Sequence, residues 1–216
     1  MVTVWRCSLL AQHFADSRPF LYHLTDRSNL DHIRETRTLF PAATLMERAG
    51  RTELLRVRRP NYERVIIGNR AILIRDQAPL HRGNLKLLNG FSFGDLVESI
   101  NRRIFFWPGT AIGPISYGVR HFERYRQDGP VFLRIDYPSL LLANPSAVPL
   151  YCRYNSGSPR CSNGKKSPRG PDTFLSTLAF NGTPSQVVEV TFSSEIELPT
   201  QTKFGRQPGG PWNSLL

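Results

Sequence analysis

The sequence is short of lysine, of acid and of sulfur. Its 28 basic side chains include only 4 Lys; Asp and Glu together number 17, Cys 3 and Met 2. Cys7, Cys152 and Cys161 form an odd set with no CxxC pair, which argues against a disulfide framework or a zinc site. They read as free thiols of a reducing cytoplasm. No apolar run approaches the roughly 18 residues of a spanning helix. The opening segment also lacks a basic stretch followed by a long apolar one, so the sequence predicts no signal peptide, no membrane association and a cytoplasmic location. Phosphate-binding GxxxxGK[ST] and dinucleotide-binding GxGxxG motifs are missing, as are HExxH and GxSxG. Zinc-finger, bZIP and RNP signatures are missing too, and no internal repeat is visible.

What the chain does have is positive charge and a core. The formal charge is +11, with 24 Arg among 216 residues. Arginine pairs bidentately with phosphate oxygens, so the balance points to a polyanionic partner. A GC-rich genome also raises arginine over lysine, but it explains the net charge less well. Hydrophobic residues make up 40% and aromatics 11%, enough to exclude a disordered chain. The length fits one domain over residues 1–216.

Short strands and helices alternate. PFLYHLT, from Pro19 to Thr25, reads as a strand, and SNLDHIRE as a helix capped by Ser28. ERVIIGNRAILIRD reads as a hairpin turning at Gly68-Asn69. FSFGDLVESINRR predicts a helix, RIFFWPG an aromatic strand and ISYGVRHFERY a second helix. VFLRIDY, SQVVEVTF and EIELP predict strands, and PSLLLAN a short helix. Residues 151–171 form a basic loop rich in Gly, Ser and Pro, with five cations and no acid between Arg153 and Arg169. The tail, 200–216, looks irregular. The pattern predicts an α+β fold with a mixed, strongly bent sheet.

Four features carry chemistry. In an extended segment His23 and Thr25 point to one side, where an imidazole and a hydroxyl could hold an amide or a ribose; Tyr22 and Leu24 would face the core. The alternative is a structural histidine at a strand end. Glu189 lies mid-strand on a face with Val187 and Thr191, opposite Val188, Val190 and Phe192. It faces a cleft, a cation or solvent, because a buried unpaired carboxylate is costly. In a cleft it could stabilise an oxocarbenium-like centre. The basic loop offers Arg153, Arg160 and Arg169 as a phosphate cradle and Tyr154 as a stacking face, or else is a solvated surface. Phe105-Phe106-Trp107 reads mainly as core, with Tyr117 either stacking in a cleft or packing.

The order of these pieces resembles the DarT-like NAD-dependent ADP-ribosyltransferases, bacterial toxins of toxin–antitoxin and phage-defence systems. The matching pieces are YHLTDRSNLDHI, RIFFWPG with the Tyr-bearing helix after it, and the late strand VVEVTF. FFWPG, RYNSG and PRGPDTF together also resemble an uncharacterised bacterial domain family with the same YHLT opening. The ADP-ribosyltransferase resemblance implies a split, bent sheet with NAD in a central cleft and no metal. It implies Glu189 as catalytic, with His23, Thr25 and Tyr117 in the cofactor site; Tyr22 beside His23 and Arg153 of the basic loop, which has no clear counterpart in that family, join them as cofactor-site candidates. A catalytic arginine upstream of the aromatic strand is also implied; Arg75 ranks ahead of Arg82 and Arg103. Tyr154, Arg160, Lys165, Lys166 and Arg169 become nucleic-acid-binding candidates. Protein-modifying relatives often carry Gln or Glu two residues before the catalytic Glu. Val187 stands there, which together with the basic charge favours an RNA or DNA base as acceptor. The expectation is therefore a mono-ADP-ribosyltransferase restrained by an antitoxin. The alternatives are a non-enzymatic nucleic-acid-binding module and an NAD glycohydrolase using the same site.

Overall fold

The structure, a computed structural model, describes residues 9–216, so Cys7 and the opening segment lie outside the described residues. In chain order the first elements are α1 (Leu9–Ser17), β1 (Phe20–Thr25), α2 (Leu30–Thr36), β2 (Thr38–Leu39), α3 (Ala42–Arg48), β3 (Glu63–Ile67) and β4 (Arg70–Ile74). Then come β5 (Leu85–Leu87), α4 (Phe93–Asn101), β6 (Ile104–Thr110), β7 (Gly113–Pro114), α5 (Ser116–Tyr125), β8 (Val131–Asp136) and α6 (Tyr137–Ala143). The last strands are β9 (Leu150–Cys152), β10 (Ser167–Arg169), β11 (Leu175–Ser176), β12 (Glu189–Phe192), β13 (Ile196–Glu197), β14 (Lys203–Gly205) and β15 (Asn213–Ser214).

The fold is α+β around a nine-stranded sheet in the order β11-β9-β12-β6-β1-β8-β14-β15, with β7 paired to β6. Every pairing within this sheet is antiparallel. The expectation of a mixed sheet is corrected: among the described strands, parallel pairing is confined to the separate β5–β10 pair. The tail is not irregular either, because β14 and β15 extend the main sheet beyond β8. Apolar side chains from Phe14 to Leu215 share one core, in which Leu21, Phe106, Leu133, Val190 and Phe192 pack together.

Local chemistry accounts for the helix starts. Ser92 and Asp95 form a reciprocal capping box that opens α4. The cap before α2 is Asp26 rather than Ser28. Its carboxylate accepts from the Ser28 backbone N–H at 2.8 Å and from the Ser28 hydroxyl at 2.6 Å, which sets a short 3-10 turn ahead of the helix. The predicted hairpin is β3–β4, turning at Gly68 with φ +58°. At Gly109 a side chain is excluded by close approach: a Cβ there would lie 2.2 Å from the Gly113 carbonyl oxygen and 2.7 Å from the Tyr22 ring.

The central strand β6 is used asymmetrically. Its C-terminal half pairs with β1, and that ladder stops at Tyr22–Trp107. Its N-terminal half pairs with β12 on the other edge, and that ladder stops at Val190–Phe106. The next residues inward, His23 and Glu189, therefore sit where the sheet opens.

Candidate active site and its cationic annex

A cleft of about 260 Å³ occupies this opening. It is walled by His23 and Thr25 of β1, Phe105 and Trp107 of β6, Glu189 of β12 and Arg75 just beyond β4. Sequence and geometry converge on four of its residues: His23, Thr25, Arg75 and Glu189.

His23 replaces a ladder partner. Where β1 leaves β6, its Nδ1 lies 2.9 Å from the Phe105 carbonyl oxygen. A carbonyl can only accept, so Nδ1 carries the proton and Nε2 is left as an acceptor. Burial pushes the imidazole down to about 4, and the nearby Arg75 cation adds to this. The ring is neutral at pH 7 and suited to accept a bond from a hydroxyl. Thr25 beside it is buried and accepts from Asn29 Nδ2 at 3.2 Å.

Glu189 is only 3% exposed, which excludes the solvent-facing alternative. One carboxylate oxygen accepts from the Ser156 backbone N–H at 3.1 Å; Oε2 is buried without a hydrogen-bond partner. Burial pushes its carboxyl up to about 7, against the Ser156 hydrogen bond and the Arg169 cation. Val187 does not share its face as alternation would have it. β12 begins only at Glu189, after a 3-10 turn at Pro184–Gln186, so Val187 turns into the core with Val190.

Arg75 is the most unusual group. All three guanidinium nitrogens are buried without a hydrogen-bond partner. The charge is held by aromatic faces instead, 4.6 Å from the Tyr125 ring centroid and 5.9 Å from that of Tyr62. Both phenols are fixed by carboxylates: Tyr125 donates to Asp76 at 2.9 Å, and Tyr62 donates to Asp128. Arg103 also reaches the cleft, but it is committed to Ser99 and to the face of Phe174. Arg82 is exposed on a turn and lines neither this cleft nor the pocket beside it, so it leaves the candidate set.

Next to the cleft lies a second pocket of about 160 Å³, sharing His121 and Asn155 with it. Tyr117, Tyr154, Arg153 and Arg160 sit here and not in the main cleft. Tyr117 and Arg153 thus lie outside the cleft in which a cofactor role was expected of them. Tyr22 lies outside it as well. It is fully buried against Phe132 and Trp212, and its hydroxyl donates to the Thr110 carbonyl, which makes it packing behind the cleft.

Arg169 is corrected most sharply. It is 2% exposed, so it is no free surface contact for a nucleic acid. Its guanidinium lies over Tyr154 at 4.4 Å and donates to Ser167 Oγ, Pro168 O and Asn155 O. It ties down the segment whose next N–H, that of Ser156, holds Glu189. Lys165 and Lys166 are exposed at the loop tip, where a Ser162–Lys165 bridge makes a turn, and they line neither pocket.

Sequence reasoning missed Arg59, His121, Ser156 and the polar role of Trp107. Arg59 is buried and donates to Asn101 Oδ1 at 2.8 Å and to the Arg75 carbonyl oxygen at 3.3 Å, bracing the Arg75 segment. His121, on α5, stacks between Trp107 and Tyr125 and is pushed down to about 3 by burial and then by Arg75. Trp107 Nε1 is buried without a partner at the cleft. The one available signal was the i, i+4 spacing of His121 and Tyr125. Among the described residues no group of three or more His, Cys, Asp or Glu side chains is placed to hold a metal ion. No described helix is long and apolar enough to cross a membrane. Cys152 is buried and Cys161 exposed, both as free thiols.

A family model described as a family of unknown function (DUF7002) matches residues 19–202. No curated protein and no solved structure matches the chain.

Proposed function

The chain belongs to this family of unknown function, and we propose that it is an NAD-dependent mono-ADP-ribosyltransferase acting on a nucleic-acid base. The observation that carries this reading is the meeting of His23 and Glu189 with the unpaired Arg75 in one cleft, where the sheet splits along β6. An ADP-ribosyltransferase-type fold accounts for that split. The free groups also suit a dinucleotide: an acceptor nitrogen for a ribose hydroxyl, a carboxylate oxygen for another, and an unpaired guanidinium for a phosphate.

NAD supplies a glycosidic bond whose cleavage releases nicotinamide with the bonding electron pair. The acceptor base nitrogen then bonds to the ribose C1′ and loses its proton. His23 Nε2 orients the sugar. Glu189, ionised, holds the ribose hydroxyl and stabilises the positive charge that develops at C1′. Burial of Glu189 keeps water away from that charge and strengthens the interaction. Thr25 holds the nicotinamide amide, and Trp107 Nε1 offers a donor at the same wall.

The basic surface supports RNA or DNA as acceptor, and a toxin of this kind acts in the cytoplasm beside a restraining antitoxin. Incubation with NAD and separate RNA, DNA and protein pools, read by mass spectrometry, should show one ADP-ribose added to a nucleic acid. Glu189→Ala should lower the yield at least 100-fold. Modification of protein alone overturns the acceptor, free ADP-ribose alone points to a glycohydrolase, and no nicotinamide release overturns the enzyme.

A further inference from the structure

We propose that the second pocket is a binding site for the phosphates of a single-stranded nucleic acid. It is walled on one side by Tyr117, Arg120 and Arg124 of α5 and on the other by Arg153, Tyr154 and Arg160 of the basic loop. All four arginines are exposed, and no Asp or Glu lines the pocket. Elsewhere some surface cations are neutralised, and exposed ones that are not, Arg64, Lys86 and Arg206 among them, do not gather around a pocket. Arg56 bridges Asp95 and Glu98, Arg102 bridges Glu47 and Glu98, and Arg48 pairs with Glu195. Among the described residues none of Arg120, Arg124, Arg153 and Arg160 has an ion-pair partner. Arg153 donates to Gln186 Oε1 at 3.3 Å and lies over the Phe180 ring, but no carboxylate offsets any of the four cations, and their mutual repulsion is relieved where an anion lies between them.

The two tyrosines give the class of anion. Tyr117 is 36% exposed, with Arg120 over its ring at 4.7 Å, and Tyr154 lies on Arg169 at 4.4 Å. Aromatic faces among backbone-reading cations are how single strands are held, with bases stacked and phosphates paired. The strand must be single or locally opened, because a base inside a duplex cannot enter a cleft as closed as the one beside Glu189. His121 and Asn155 form the common wall, so a strand held in the pocket brings its neighbouring base to the cleft. This acceptor role rests on the transferase reading; the binding does not.

The test is fluorescence anisotropy of labelled 12-mer single-stranded RNA and DNA, without NAD, across a salt series. Four phosphate contacts predict a salt slope of roughly −3 for a single strand. Arg120→Ser with Arg124→Ser, and Arg153→Ser with Arg160→Ser, should each weaken binding at least tenfold and reduce the slope by about 1.4. Lys203→Ser with Arg206→Ser removes the same charge from exposed positions outside the pocket and should change affinity by less than threefold. Thermal melting checks that each variant is folded. Equal weakening by all three pairs overturns the site, as does wild-type protein that does not bind. A raised KM for NAD with unchanged oligonucleotide binding also overturns it, because the pocket then serves the dinucleotide phosphates. Binding that responds as expected, without ADP-ribose transfer in any pool, overturns the transferase and leaves this site standing.

Discussion

Glu189 holds its place at a cost that pH exposes. Its carboxyl titrates near 7 in the folded chain and near 4.5 when unfolded, so the folded state favours the protonated form. Stability from this group is fully present below about pH 4.5 and is lost as pH rises through 7. Glu189→Gln keeps the acceptor for the Ser156 N–H and removes the ionisation. It should match the wild type near pH 4 and exceed it by about 3 kcal/mol at pH 9, measured by urea denaturation. Equal stability at both pH values would contradict the buried, half-paired carboxylate. If the proposed transfer runs through the ionised carboxylate, its rate should rise with pH through about 7. The sequence showed this residue because a carboxylate inside VVEVTF breaks an apolar strand. Ser156 was invisible, since it acts through a backbone N–H that any residue carries. Arg169 was misplaced because charge suggests solvent, and only the fold shows an arginine stacked inward on Tyr154.

At the level of elements, the periodic segments were legible and the bracing between them was not. β1, the β3–β4 hairpin, α4, β6, α5, β8 and α6 follow from local pattern and capping. α1 and α3 went unpredicted, and the parallel β5–β10 pair could not be read, because its register lies between segments some 80 residues apart. The clearest brace is Asn101, the last residue of α4. Its Oδ1 accepts from Arg59 at 2.8 Å and from Gln77 at 3.0 Å, and its Nδ2 donates to the Leu55 carbonyl at 2.9 Å. Asn101→Leu fits the volume but strands a buried guanidinium, so it should cost about 3 kcal/mol in chemical denaturation. It should also loosen Arg59 from the Arg75 carbonyl and so weaken the NAD use proposed for this cleft. A loss below 1 kcal/mol would show that Arg59 finds another partner.

At the scale of the whole molecule, stability against acid rests on two histidines kept neutral by burial beside the Arg75 cation. His23 and His121 titrate near 4 and 3 in the fold, against about 6.5 when unfolded. Their contribution is complete above pH 6.5 and is lost as pH falls toward those folded values. Acidification from pH 7 to 4.5 should therefore cost up to about 3 kcal/mol for each histidine. His121→Phe, which keeps an aromatic ring between Trp107 and Tyr125, should remove its share of that loss. Urea midpoints at the two pH values decide this; an unchanged slope would show His121 to be hydrated. The composition pointed to a polyanion partner, but it could not say where on the surface cations lie without an ion pair.

The basic loop is clamped at both ends, by β9 in the main sheet and by β10 against β5. Its tip between Arg160 and Lys165 is closed only by a turn. Lengthening such a tip is cheap, because doubling a loop costs only about 0.6 kcal/mol of closure entropy. The segment beyond Arg160 can thus change in length and composition while the residues that line the cleft and the second pocket stay fixed. A chimera carrying a foreign tip should therefore keep the stability of the parent fold while presenting a different edge beside the second pocket, a tolerance that urea denaturation of the chimera would check.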